Sequence, residues 1–172
     1  MLHIITGGSG SGKSAFAEEQ ILKLGPAKRY YIATMHPFDE ESKKRVQRHR
    51  VMRDGKGFET IERYTHLEQI GISEGANVLL ECMSNLVANE MYEEDGAHER
   101  TVDAVMEGIR HLAGQAANLV VVTNEVFSDV QDYEPETLRY MDYLGKINCR
   151  MADMADQVTE VVYGIPISVK FY

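Results

Sequence analysis

The sequence predicts an α/β domain built on a mostly parallel sheet with an antiparallel edge at the C-terminus. Three observations carry this. Short apolar runs alternate with helix-period segments along the whole chain, the order expected of βα units. Runs such as Val78-Leu79-Leu80 and Leu119-Val120-Val121-Val122 are apolar at every position, so helices cover both sheet faces. The last two runs are separated only by a turn at Gly164, too short for a parallel crossover. With 172 residues and no repeat, low-complexity segment or linker, residues 1–172 form a single domain.

Residues 2–6 (Leu2-His3-Ile4-Ile5-Thr6) are a buried strand, and residues 15–22 carry a helical pattern. Between them Gly7-Gly8-Ser9-Gly10-Ser11-Gly12-Lys13-Ser14 fits G-x-x-x-x-G-K-[ST], a phosphate-binding loop. Glycines let consecutive N–H groups turn inward onto phosphate oxygens, and the helix N-terminus adds its dipole. Lys13 is expected to reach the β- and γ-phosphates and Ser14 to offer its hydroxyl to Mg²⁺. Strand, loop and helix in this order predict a P-loop NTPase-type (RecA-like) three-layer sandwich.

Gly25-Pro26 makes a turn, and residues 29–34 are a second strand. A loop through His36-Pro37 leads to a charged helix over 39–52, broken by Asp54-Gly55-Lys56-Gly57. Residues 58–62 are a short strand; 77–81 are an apolar strand ending on Glu81; a helix covers 84–92. From 99 to 116, Val102, Val105, Met106, Ile109, Leu112, Ala113 and Ala116 mark one face of an amphipathic helix. Residues 119–123 are a buried strand ending at Asn124-Glu125, followed by a loop of acids and aromatics over 127–133. Glu134-Pro135 starts a helix on which Leu138, Met141, Leu144, Ile147, Met151 and Met154 form a core-facing stripe as far as Ala155. Residues 158–163 and 167–170 are the closing pair of strands.

The net charge of −9 argues against a nucleic-acid partner. No apolar run is long enough to span a membrane, and the N-terminus enters the first strand with no signal-peptide pattern. Cys82 and Cys149 show no ligand spacing and are expected to be reduced thiols of a cytoplasmic protein.

Against this acidic background Lys43, Lys44, Arg45, Arg48, Arg50, Arg53 and Lys56 cluster in one segment. They are either a solvated helix face or a surface that handles phosphates. His49 lies among them, on one helix face with Arg45. Like-charge repulsion favours its neutral form, a nucleophile toward phosphorus; the alternative is a surface histidine on a basic helix. Glu81 and Glu125 each end an apolar strand, where ligands bind in open α/β sheets. Glu81 is the candidate to hold Mg²⁺, the alternative being an exposed strand-end acid. His3, His36, His66, His98 and His111 show no metal or triad spacing, although His36 follows a strand end and is a candidate to line the site.

These residues resemble the bifunctional adenosylcobinamide kinase / adenosylcobinamide-phosphate guanylyltransferase family of cobalamin biosynthesis. The likeness runs through Thr6-Gly7-Gly8 with Ser11-Gly12-Lys13-Ser14, Tyr31-Ile32-Ala33-Thr34, Arg45-Val46-Gln47-Arg48-His49-Arg50 and Thr60-Ile61-Glu62. It continues through Leu79-Leu80-Glu81-Cys82-Met83-Ser84, Val122-Thr123-Asn124-Glu125-Val126 and the set Gly145, Asn148, Ala152, Ala155, Asp156. The resemblance implies that His49 forms a covalent guanylyl intermediate with GTP and that Lys13 is the second catalytic residue. It also implies nucleotide contacts from residues 7–14, Thr34, Met35, His36, Arg50, Val51, Met52, Arg53, Glu62 and Glu81, with Ser14 and Glu81 at the metal. Expected partners are a corrinoid substrate and a nucleoside triphosphate, GTP or ATP, in a homotrimer.

The family pattern after Val126 is G-x-G-x-V-P, whereas residues 127–135 here are longer and acidic. That departure keeps a guanylyltransferase without kinase activity open. An unrelated P-loop small-molecule kinase with His49 as bystander, and a nucleotide-switch module, are the other readings.

Overall fold

The computed structural model describes residues 1–128 and 132–171. Among them seven strands and five α-helices alternate. They are β1 (Leu2–Thr6), α1 (Lys13–Lys23), β2 (Arg29–Ala33), α2 (Glu40–Arg53), β3 (Phe58–Glu62), β4 (Asn77–Glu81), α3 (Met83–Tyr92), α4 (Thr101–Gln115), β5 (Asn118–Val122), α5 (Pro135–Met154), β6 (Gln157–Val162) and β7 (Ile165–Phe171). The predicted order is recovered, with ends shifted by a residue or two.

The strands form one sheet in the order β3-β2-β4-β5-β1-β6-β7. Every pair is parallel except β6 with β7. Tyr163 and Gly164 both take positive φ, the type I′ geometry that a two-residue hairpin favours. Because β1 to β5 are parallel, the phosphate loop, Thr34, Glu62, Glu81 and Glu125 all leave from one edge.

Side chains on the central strands alternate between two cores. Ile4, Ile32, Val78, Leu80, Leu119 and Val121 face α3, α4 and α5, packing on Leu86, Met106, Ile109, Leu144 and Ile147. Ile5, Tyr31, Leu79, Val120 and Val122 face the other way, onto Ala17 and Ile21 of α1. Each fully buried aliphatic chain contributes about 1.5–3 kcal/mol. This is the three-layer sandwich predicted, helices lying on both faces of one sheet.

Coverage is less even than the apolar runs suggest. The outer strand β7 leaves Ile165, Ile167, Val169 and Phe171 exposed, because only β6 adjoins it. The α5 stripe is also shorter than its periodicity. Leu144, Ile147 and Met151 are buried, while Leu138 near the start of the helix and Met154 at its end are exposed. Helix α2 belongs to neither core: Asp39 caps its N-terminus on the Ser42 N–H at 2.6 Å, and Arg53 is its one buried residue.

Candidate active site

The phosphate loop is held by backbone. Gly164 N–H donates to Ser11 O at 2.8 Å and Glu125 N–H to Gly7 O at 3.1 Å. Gly7 has φ 152°, and a Cβ there would sit 2.5 Å from Val161 O. Gly12, at φ 93°, caps α1 without any side-chain bond, so the first-turn N–H groups have no side-chain acceptor and remain for an anion. Lys13 is buried and donates to Gly8 O at 2.9 Å. Burial lowers its pKa, against the opposing fields of Cys82 and Glu81.

Glu81 is where the predicted residues converge. Its Oε1 accepts a hydrogen bond from Ser14 Oγ. Its Oε2 accepts from Tyr31 OH at 3.0 Å and lies 3.7 Å from His49 Nδ1. One buried carboxylate thus takes a hydrogen bond from the serine of the phosphate loop and stands near the histidine of α2, whose Nδ1 is buried without a hydrogen-bond partner; the three residues come from elements far apart in sequence. Burial drives the Tyr31 pKa far up, so its hydroxyl stays a donor.

His49 borders a small cavity of about 50 Å³, lined also by Tyr31, Met35, Arg53, Glu81 and Cys82. The Arg53 guanidinium lies over the Tyr31 ring, 3.4 Å from its centroid. Arg53 is only 6 % exposed, and its Nε and Nη1 have no hydrogen-bond partner. The rest of the basic cluster is placed elsewhere. Arg45 pairs with Glu41 at 2.6 Å, Lys43 with Glu40 at 2.7 Å, Arg50 with Glu62, and Lys56 with Glu18 at 2.6 Å. Arg48 and Val51 face solvent, and Met52 is half-buried.

Other predicted residues surround this centre without entering the cavity. Thr34 is fully buried; its hydroxyl donates to Cys82 O and accepts from Cys82 N–H, both at 2.8 Å. Asn89 Nδ2 donates to Thr34 O at 2.8 Å and Tyr64 O at 3.0 Å. Thr34 and Asn89 thus lock together the ends of β2 and β4. His36 stacks between Phe38 and Tyr64, with centroids at 4.4 and 3.8 Å, in a separate groove beside Glu62 and Glu93. Glu125 lies at the same strand-end edge, where its carboxylate accepts from Phe127 N–H at 2.8 Å and Ser128 Oγ at 2.9 Å and caps its own turn. Of the longer loop, residues 129–131 lie outside the described residues.

Sequence reading did not single out Tyr31, the stacking of Arg53 on it, or the hairpin against the loop. A tyrosine pair inside an apolar strand was the available signal. Among the described residues no group of three His, Cys, Asp or Glu side chains gathers to hold a metal. Ser14 and Glu81 supply an oxygen-only pair beside the phosphate loop, the donor set that suits Mg²⁺ shared with substrate phosphates. Among the described residues no helix is long and apolar enough to cross a membrane.

A family model described as cobinamide kinase / cobinamide phosphate guanyltransferase matches residues 3–169. The chain is 31% identical to the bifunctional adenosylcobalamin biosynthesis protein CobU of Escherichia coli (strain K12), covering 99% of this chain and 100% of that one. It is 32% identical to CobU of Salmonella typhimurium, with the same coverage. Among solved structures, an ATPase from the type III secretion system of pathogenic bacteria aligns at TM-score 0.57 and 11% identity, covering 97% of this chain and 56% of that one. Flagellar accessory protein FlaH from Methanocaldococcus jannaschii aligns at TM-score 0.50 and 12% identity, covering 99% and 78%. At these identities the structures speak to fold alone.

Proposed function

This chain belongs to the cobinamide kinase / cobinamide phosphate guanyltransferase family, and we propose that it runs both reactions at one edge of the sheet, the second through a guanylyl-histidine at His49. An unrelated kinase or a switch module falls away with membership. In the kinase step a nucleoside triphosphate, ATP or GTP, phosphorylates the aminopropanol hydroxyl of adenosylcobinamide. In the transfer step His49 attacks the α-phosphorus of GTP; an N–P bond forms and the bond to pyrophosphate breaks. A phosphate oxygen of adenosylcobinamide phosphate then displaces the imidazole, giving adenosyl-GDP-cobinamide and restoring His49.

The observation that supports this reading is the Ser14–Glu81–His49 arrangement. Glu81 faces Nδ1, so a proton held there leaves Nε2 with its lone pair for attack. Lys13 and the first turn of α1 are placed to bind the phosphates. Mg²⁺, held by Ser14 and Glu81 with the phosphates, supplies charge neutralisation when bound. The exposed apolar residues of β7 fit a face between subunits of a cytoplasmic homotrimer. Neither a nucleic acid nor a membrane is part of this reading.

A guanylyltransferase lacking the kinase step is the second reading. It rests on Phe127, which replaces the first glycine of the family's loop pattern and whose ring lies 3.6 Å from where a Cβ at Gly145 of α5 would stand.

Incubation with α-labelled GTP and Mg²⁺ tests the proposal. The expected result is an acid-labile, base-stable label on His49; its absence from protein that binds GTP overturns the histidine route. Turnover of the label by unphosphorylated adenosylcobinamide plus ATP supports the bifunctional enzyme. Turnover only by the phosphorylated substrate supports the second reading.

A further inference from the structure

We propose that Tyr31 is a positioning residue for nucleotidyl transfer: its ring seats the Arg53 guanidinium beside His49, and its hydroxyl fixes the Glu81 carboxylate that faces the same histidine. This rests on the His49 reading above.

Tyr31 sits mid-strand in β2, between Thr60 of β3 and Leu79 of β4. Its ring meets Phe58 edge-on at 6.4 Å, which sets the plane of the ring. Arg53 lies on that plane at 3.4 Å, and Tyr31 OH reaches Glu81 Oε2 at 3.0 Å. A phenylalanine would fill the same apolar space, and a leucine would suit the strand. Neither would hold both charges.

The charges themselves give the reason for such a device. Arg53 and Glu81 line one cavity with opposite sign, yet among the described residues they form no ion pair. A buried arginine ordinarily closes on a carboxylate in bidentate fashion. Here the ring holds the guanidinium by its face, and Nε and Nη1 keep no partner. Unpartnered buried donors are costly to a folded protein, and a phosphate oxygen is the acceptor their planar fork fits. Glu81 meanwhile keeps Oε2 toward Nδ1 of His49. Tyr31 thus holds a cation for the charge that develops at the α-phosphate and an anion for the histidine that attacks it.

The test is single-turnover labelling of His49 by α-labelled GTP, with maximal rate and half-saturating GTP measured separately. Tyr31→Phe keeps the ring and is expected to slow the maximal rate about tenfold. Tyr31→Leu removes both contacts and is expected to slow it about 100-fold, with half-saturating GTP changed less than about threefold. In an Arg53→Ala background, Tyr31→Leu should add only about the tenfold that belongs to the hydroxyl. A folded Tyr31→Leu protein that labels within about threefold of the parent overturns the proposal, as does a full 100-fold cost that persists without Arg53. If Tyr31→Leu does not fold, Tyr31→Phe decides: a parental rate overturns the role of the hydroxyl in fixing Glu81. Failure of the parent protein to label at all counts instead against the His49 reading itself.

Discussion

The phosphate loop and helix α2 meet at Glu81, but they are built in opposite ways. Residues 7–14 are tied by backbone hydrogen bonds to the segment after β5 and to the β6–β7 hairpin, with Lys13 buried. Glycine dihedrals alone fix most of their shape. Helix α2 contributes to neither core and is tied to the sheet through its C-terminal half, by Arg53 on Tyr31 and Arg50 on Glu62, with Lys56 just beyond it on Glu18. One half of the site is preformed to receive phosphates. The other carries His49, the proposed nucleophile, on an element with few apolar contacts, the kind from which mobile parts of enzymes are drawn.

The largest expected effect breaks that division of labour. His49→Ala should abolish labelling by α-labelled GTP while leaving GTP affinity within about threefold, since the proposed route has the loop bind the phosphates and His49 react with them. Equilibrium binding beside the labelling assay checks both halves. A parallel collapse of affinity would mean that α2 is part of the phosphate site. Lys13→Ala is the converse: it should weaken both phosphoryl transfers, each by about tenfold or more, through loss of one charge-assisted contact.

The same contrast governs what the sequence disclosed. The loop was legible because an eight-residue local pattern dictates its own backbone. Glu81 was legible as the end of an apolar strand, but its contact with Ser14 depends on β5 alone separating β4 from β1, a matter of strand order. Tyr31 was hidden because a tyrosine inside an apolar run looks like core filling, and its partners Arg53 and Glu81 arrive from other elements. The basic cluster was visible as charge, yet only packing singles out Arg53 while Arg45 and Lys43 pair along their own helix. Periodicity identified α5 but not which turns are covered, so Leu138 and Met154 were misplaced in the core.

Gly7→Ala and Gly10→Ala separate enclosure from dihedral freedom within the loop. Both positions have positive φ, but a Cβ at Gly7 meets Val161 O at 2.5 Å, whereas one at Gly10 meets nothing within 4 Å. Gly7→Ala should cost about 3 kcal/mol of stability and most nucleotide binding. Gly10→Ala should cost about 1 kcal/mol, the penalty of the left-handed backbone alone. Denaturant unfolding of the two variants gives the difference; equal losses would show that the hairpin yields and the loop is less enclosed than its contacts imply.

The smallest effect concerns the tie between the two regions. Glu18 of α1 is 2% exposed and receives Lys56 at 2.6 Å, while Lys56 keeps 34% exposure. Lys56→Met leaves a buried carboxylate without its cation. Removing one partner of a fully buried pair costs about 3–5 kcal/mol. Solvent around Lys56 reduces the expected loss here to about 1–2 kcal/mol. Glu18→Gln added to Lys56→Met should restore part of that stability, since the uncompensated charge rather than the missing bond carries the cost. If the tie also sets where α2 stands, the double variant should remain slow in His49 labelling after its stability has recovered. Recovery of both together would mean that Arg53 on Tyr31 and Arg50 on Glu62 are sufficient to place the helix.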